Sequence, residues 1–191
     1  MAILVLVSGS NNSGKSVYAE QLIAKTAGDR YYIATMRPCT EDNHHRIEKH
    51  RAQRQGLGFT TIECPYQVGN VSVSSDGVVL LEDVSNLLAN AMFEKGDSSD
   101  SVFNDISALA DRCKMLVAVT ITGLEDQGYD EGTTAYINGL NAINRKLFEK
   151  ASAVISMQEG TPVYEKGDIH VLIQVPPGGY IHLQRYSRSS V

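Results

Sequence analysis

The sequence predicts an α/β fold: a mostly parallel sheet covered by helices on both faces. Two features predict it. Apolar runs of strand length alternate with longer helix-like segments along most of the chain. The first run, Ile3-Leu4-Val5-Leu6-Val7, also passes through a Gly- and Ser-rich turn directly into the helical segment 17–25. That strand–turn–helix unit is the repeating element of such sheets. At 191 residues the chain is long enough for one domain with a sizeable core.

Taken in order, the apolar runs place strands at 2–7, 31–35, 59–63, 78–82, 115–121 and 153–157. The intervening segments place helices at 15–25, 41–55, 84–95, 101–114 and 133–150. The acidic, Ser-rich stretch 97–100 reads as a mobile surface loop. The tail differs in character. Segments 162–165, 170–175 and 180–185 read as short strands around Gly-Asp and Pro-Pro-Gly-Gly turns, the last two within a C-terminal β extension, 168–191.

The turn after the first strand carries the chemistry. Gly9-Ser10-Asn11-Asn12-Ser13-Gly14-Lys15-Ser16 fits the phosphate-loop pattern G-x-x-x-x-G-K-[ST] at every constrained position. Its glycines allow a tight turn that aims backbone N–H groups inward at a polyphosphate. The helix beginning near Gly14 adds its positive dipole end. Lys15 is placed to reach the terminal phosphates, and the Ser16 hydroxyl to ligate Mg2+. The whole chain 1–191 therefore reads as a P-loop nucleotide-binding α/β domain.

A second element supports the first. Val78-Val79-Leu80-Leu81 runs into Glu82 and Asp83, and a strand beside a phosphate loop commonly ends in a carboxylate for the metal shell. Side chains alternate along a strand, so one of the two acids faces the metal. The alternative is a strand end leaving into solvent through acidic residues.

Segment 40–55 does not read as core. Only Ile47 and Ala52 are apolar in T-E-D-N-H-H-R-I-E-K-H-R-A-Q-R-Q, and a helix polar all round is either solvated or functional. Pro38 and Thr40 supply start signals. Helical spacing puts Arg46, His50 and Arg54 on one face. Two guanidiniums flanking an imidazole suit a phosphate, and neutral histidine is a competent nucleophile. A merely solvated charged face is the competing reading.

Composition excludes several classes. The formal net charge of -5 does not advertise nucleic-acid binding. No apolar run approaches a membrane span, and the N-terminal segment lacks the basic start and cleavage site of a signal peptide. The three cysteines, Cys39, Cys64 and Cys113, are scattered and form no C-x-x-C, as expected of a reduced cytoplasmic protein. His44 and His45 read as exposed helix positions, His170 and His182 as strand surface, and Tyr31 and Tyr32 as sheet packing. No guanine-reading Asn-Lys-x-Asp motif is present.

These residues resemble the adenosylcobinamide kinase / adenosylcobinamide-phosphate guanylyltransferase enzymes of cobalamin assembly. The similarity lies in ordered blocks over about the first half of the chain. These are Gly9–Ser16 with Ala19-Glu20; Tyr32-Ile33-Ala34-Thr35; Arg46-Ile47 followed by His50-Arg51 and Arg54; and the stretch 59–65 leading to Leu80-Leu81-Glu82. The resemblance implies a RecA-like P-loop NTPase fold and a homo-oligomer, often a trimer. It implies that adenosylcobinamide, a corrinoid, is phosphorylated with ATP or GTP, and that GMP then moves from GTP to that phosphate through a guanylylated histidine. The family's histidine falls on His50. Lys15, Mg2+ and the loop amides would stabilise phosphate charge, joined by Arg46, Arg51 or Arg54, whose facing spacing alone leaves open. Ser16 and Glu82 are the metal candidates.

The second half departs from the family pattern. Ile121-Thr122-Gly123-Leu124 stands where the family carries Asn-Glu-Val-Gly, and Tyr136-Ile137-Asn138 keeps only the aromatic of an aromatic-Arg-Asp step. Asn144, Leu147, Val154, Gly160 and Pro162 still fit. Glu125, Asp126, Asp130 and Glu131 are candidate replacements for the lost carboxylates. The alternatives are a P-loop transferase with one activity lost or its substrate changed, and a non-catalytic nucleotide-binding assembly or regulatory protein.

Overall fold

A computed structural model describes residues 2–168. Seven strands form one sheet: β1 (Ile3–Gly9), β2 (Arg30–Ala34), β3 (Phe59–Glu63), β4 (Val78–Glu82), β5 (Met115–Val119), β6 (Ala153–Gln158) and β7 (Thr161–Lys166). Their spatial order is β3-β2-β4-β5-β1-β6-β7. All neighbours are parallel except β6 and β7, which form an antiparallel hairpin at one edge. The helices are α1 (Lys15–Ala24), α2 (Glu41–Arg54), α3 (Val84–Asn90), α4 (Ser99–Ala110) and α5 (Glu131–Lys150). Among the described residues, no helix is long and apolar enough to cross a membrane.

Alternation along the central strands divides the core in two. Val5, Val7, Leu80, Val117 and Ile155 meet Tyr18, Ala19, Leu22 and Ile23 of α1 on one face. Leu4, Leu6, Leu81, Leu116 and Val154 meet α3, α4 and α5 on the other. Both faces are covered, which is why the central strands read as continuous apolar runs rather than as alternating ones.

The expected strands and helices are all present within the described residues, with shifts that have local causes. Segment 97–100 is not a loop throughout. The Ser98 hydroxyl caps α4 by accepting from the Ser101 N–H at 3.2 Å, which draws Ser99 and Asp100 into the first turn. At its other end α4 stops at Ala110, because the backbone N–H groups of Lys114 and Met115 are claimed by the Gly77 carbonyl at 3.0 and 3.4 Å. Helix α3 continues as a π turn, Ala91–Lys95, before ending at Gly96. The strand expected at 162–165 is β7. The strands expected at 170–175 and 180–185, with His170 and His182, lie outside the described residues.

Because the strands are parallel, their C-terminal ends converge on one rim. The phosphate loop leaves β1 there, and Glu82 closes β4 there. The strand β5 lies between them. Such a rim is where open α/β sheets bind ligands.

Candidate functional site

The phosphate loop is built on two glycines. Gly9 ends β1 at φ 150°, and a Cβ there would sit 2.6 Å from Ser13 Oγ and 2.7 Å from the Met157 carbonyl oxygen. Gly14 precedes α1 at φ 90°, left-handed backbone that favours glycine. No side chain caps α1, so its first-turn N–H groups remain open to an anion. Gly9→Ala is therefore expected to destabilise the protein by about 1–3 kcal/mol, read as a lower urea midpoint. An unchanged midpoint would mean that the loop tolerates a side chain.

Lys15 is buried and its Nζ donates to the Ser10 carbonyl at 2.6 Å. Burial lowers its pKa, with Arg46 adding to the effect and Glu82 and Asp83 opposing it. Ser16 Oγ donates to Glu82 Oε1 at 2.6 Å. The second oxygen, Oε2, is buried without a partner. Burial raises the Glu82 pKa first of all, helped by the neighbouring Asp83 charge and opposed by the Ser16 hydrogen bond and by Lys15. Of the two acids expected at this strand end, Asp83 is otherwise engaged. Its Oδ1 accepts from the Ser85 hydroxyl at 2.6 Å and the Asn86 N–H at 2.7 Å, capping α3.

The site's donor set fits a hard, oxygen-loving cation. Ser16 Oγ and an underused Glu82 carboxylate stand together at the loop. Among the described residues no cluster of three or more His, Cys, Asp or Glu side chains forms an all-protein metal cage. That combination suits Mg2+, which keeps water and phosphate oxygens in its shell.

Helix α2 brings its basic face to the same rim. Thr40 caps it, accepting from the Asn43 N–H at 3.1 Å. His50 is half-buried and Arg54 buried, and both line a narrow cleft of about 20 Å³ with Tyr32, Ile47, Glu82 and Asp83. His50 Nδ1 is buried without a partner. Burial lowers its pKa below the usual 6.5, reinforced by Arg54 and Arg46 and opposed by Asp83. The imidazole is thus held neutral, the form that can act as a nucleophile. Arg46 is exposed, and its charge reaches both Lys15 and His50. Arg51 is exposed, and its guanidinium is engaged by Glu63, which lines the same cleft, at 3.1 Å. His44 and His45 are exposed, as expected.

Arg54 does not point freely at the loop either. Its Cζ lies 3.4 Å from the Tyr32 ring centroid, and the charge of the buried Glu20 reaches it. Sequence reasoning did not single out Glu20 as a site residue. Its signal was its place one helical turn after Ser16, on the same face of α1. Burial pushes its pKa up to about 7 against the pull of Arg54. Thr120, fully buried at the end of β5, was also missed. Its hydroxyl donates to Asn144 Oδ1 at 2.7 Å, and Asn144 Nδ2 donates to the Ile121 carbonyl at 2.9 Å, which ties the altered loop to α5.

The candidate replacement acids serve that loop itself. Asp126 accepts from the Gly128 N–H and the Thr134 hydroxyl, both at 3.0 Å, and Asp130 caps α5 through Thr133. Glu125 and Glu131 are exposed.

The chain is 10% identical to a prototypical ATPase from the type III secretion system of pathogenic bacteria, with a TM-score of 0.52 over 82% of this chain and 51% of that one. It is 10% identical to a protein of Pyrococcus horikoshii OT3, with a TM-score of 0.50 over 86% of each. These likenesses establish the α/β P-loop NTPase fold and nothing beyond it. In sequence, the chain is 32% identical over 100 residues to the bifunctional adenosylcobalamin biosynthesis protein CobU of Escherichia coli K12, across 51% of this chain and 55% of that protein. It is 29% identical over 123 residues to the protein of the same name from Salmonella typhimurium LT2, across 61% and 67%. The match therefore spans about half the length of the Escherichia coli relative. A family model described as cobinamide kinase / cobinamide phosphate guanyltransferase matches residues 5–164, a span that holds the phosphate loop, Glu82 and all of α2. The chain belongs to that family.

Proposed function

We propose that the protein is a nucleotide-dependent transferase that phosphorylates adenosylcobinamide and then transfers GMP from GTP to the new phosphate through His50. The observation that carries this reading is the meeting of His50 and Glu82 in one cleft at the rim that bears the phosphate loop. A phosphate loop alone supports many reactions. A half-buried neutral histidine in one cleft with Glu82, whose carboxylate bonds Ser16 of that loop, supports a covalent nucleotide intermediate.

In the kinase step, the loop amides and Lys15 hold the polyphosphate of ATP or GTP. The acceptor hydroxyl oxygen attacks the γ-phosphorus, the bond to the nucleoside diphosphate breaks, and the hydroxyl proton is released. Little covalent work falls to the protein, and positioning plus charge supplies the rate. In the transfer step, a neutral His50 nitrogen attacks the α-phosphorus of GTP. A P–N bond forms as the P–O bond to pyrophosphate breaks. The acceptor phosphate then displaces His50, which returns to its neutral form. Arg46, whose charge reaches both Lys15 and His50, would stabilise the phosphate under attack. Ser16 and Glu82 would hold Mg2+, which when bound neutralises phosphate charge.

The test is the conversion of labelled GTP and adenosylcobinamide by the purified protein with Mg2+. The expected products are the corrinoid phosphate and then the GDP-linked corrinoid. Binding or hydrolysis of GTP with neither corrinoid product would overturn the proposal in favour of another acceptor or a non-catalytic role.

A further inference from the structure

We propose that Glu20, Tyr32 and Arg54 form a buried latch that sets the angle of α2, so that Glu20 and Tyr32 are positioning residues for transfer through His50. The proposal rests on the function proposed above and adds to it residues that hold the histidine in place.

Apolar burial does not hold α2 down. Ile47 is half-buried and Ala52 is exposed, so the helix has no hydrophobic stripe. Among its described side chains the deeply buried one is instead a charge. Arg54 is 8% exposed and lays its guanidinium on the Tyr32 ring at 3.4 Å. Tyr32 is itself fixed. It is 3% exposed, and the Phe59 ring of β3 meets it edge-on at 6.1 Å and 81°.

A buried guanidinium needs a counter-charge as well as a ring. Glu20, 3% exposed on α1, supplies part of it in its ionised form, within electrostatic reach of both Arg54 and Tyr32, alongside Glu82 and Asp83, which line the cleft with Arg54. Glu20 Oε1 and Arg54 Nη1 are each buried without a hydrogen-bond partner. The carboxylate therefore acts on the guanidinium by charge across the buried space.

The connectivity turns this cluster into a gauge. Glu20 lies one helical turn after Ser16, on the helix that carries the phosphate loop. Arg54 lies one turn after His50, on the helix that carries the nucleophile. Fixing Arg54 against Glu20 and Tyr32 fixes His50 relative to the loop. Small misplacements of a reacting group are costly, which gives the latch a catalytic consequence.

The experiment compares the full chain with Glu20→Gln, Tyr32→Leu and Tyr32→Phe. It reads hydrogen exchange of the α2 amides, the rate at which GTP forms a GMP adduct, and the GTP dissociation constant. Glu20→Gln and Tyr32→Leu are expected to speed α2 exchange about tenfold or more. They should also slow the adduct about tenfold or more while GTP affinity stays within about twofold. Tyr32→Phe keeps the ring and should restore both readouts. Unchanged α2 exchange in Glu20→Gln and Tyr32→Leu would overturn the latch. So would a loss of GTP affinity parallel to the loss of adduct, since that marks general damage to the site. Exchange needs no turnover. If the parent forms no adduct, exchange still decides the latch, and only the proposed transfer falls.

Discussion

Lys15→Ala is expected to lower both phosphoryl and guanylyl transfer by about 10²–10³-fold, the scale for removing one preorganised charge from a developing phosphate transition state. Lys15 is the cation built into the loop itself, and it is held there by the Ser10 carbonyl at 2.6 Å. Truncation removes that charge and leaves a buried space beside Glu82, whose carboxylate loses a favourable neighbour. Steady-state assays of each half-reaction, with GTP affinity measured separately, check this. Loss in one reaction alone would mean that the two steps do not share the loop.

His50→Ala should separate the two activities. The phosphoryl step has no use for the imidazole, and phosphorylation of adenosylcobinamide is expected to survive within about tenfold. Transfer of GMP should fall to background, because the covalent intermediate cannot form without its nitrogen. The parent's pH profile carries the same claim. Burial and the Arg54 and Arg46 charges lower the His50 pKa below 6.5. His50 is therefore deprotonated at lower pH than an exposed histidine would be, and if transfer runs through it the acid limb of guanylyl transfer should lie below pH 6.5. A limb above that value would mean that a carboxylate or the reacting phosphate outweighs the two guanidiniums in the working complex.

How much of this was legible in the sequence depended on how local each cause was. The phosphate loop was fully readable, because its backbone demands fall on glycines within one turn. The strand ending at Glu82 was readable too, but choosing between Glu82 and Asp83 needed a further signal. That signal is capping: Asp83 stands three residues before Asn86 at a helix start, where an aspartate is drawn onto backbone N–H groups. The same chemistry at Ser98 turned an expected loop into the first turn of α4. On α2, spacing puts Arg46, His50 and Arg54 on one face, and the cleft is lined by the last two. Spacing could not orient the helix, because no apolar stripe marks an inner face. The ion pair of Arg51 depends on Glu63, which arrives from β3. The roles of Glu20 and Tyr32 arise where α1, α2, β2 and β3 converge, a tertiary fact that no single segment encodes.

The most direct test of the account is the intact mass of the protein after incubation with GTP and Mg2+, measured for the parent, His50→Ala and Lys15→Ala. An acid-labile increment of one GMP is expected on the parent, none on His50→Ala, and on Lys15→Ala the same increment gained about 10²–10³-fold more slowly. An adduct that persists in His50→Ala, or a parent that binds GTP yet gains no mass, would contradict transfer through His50.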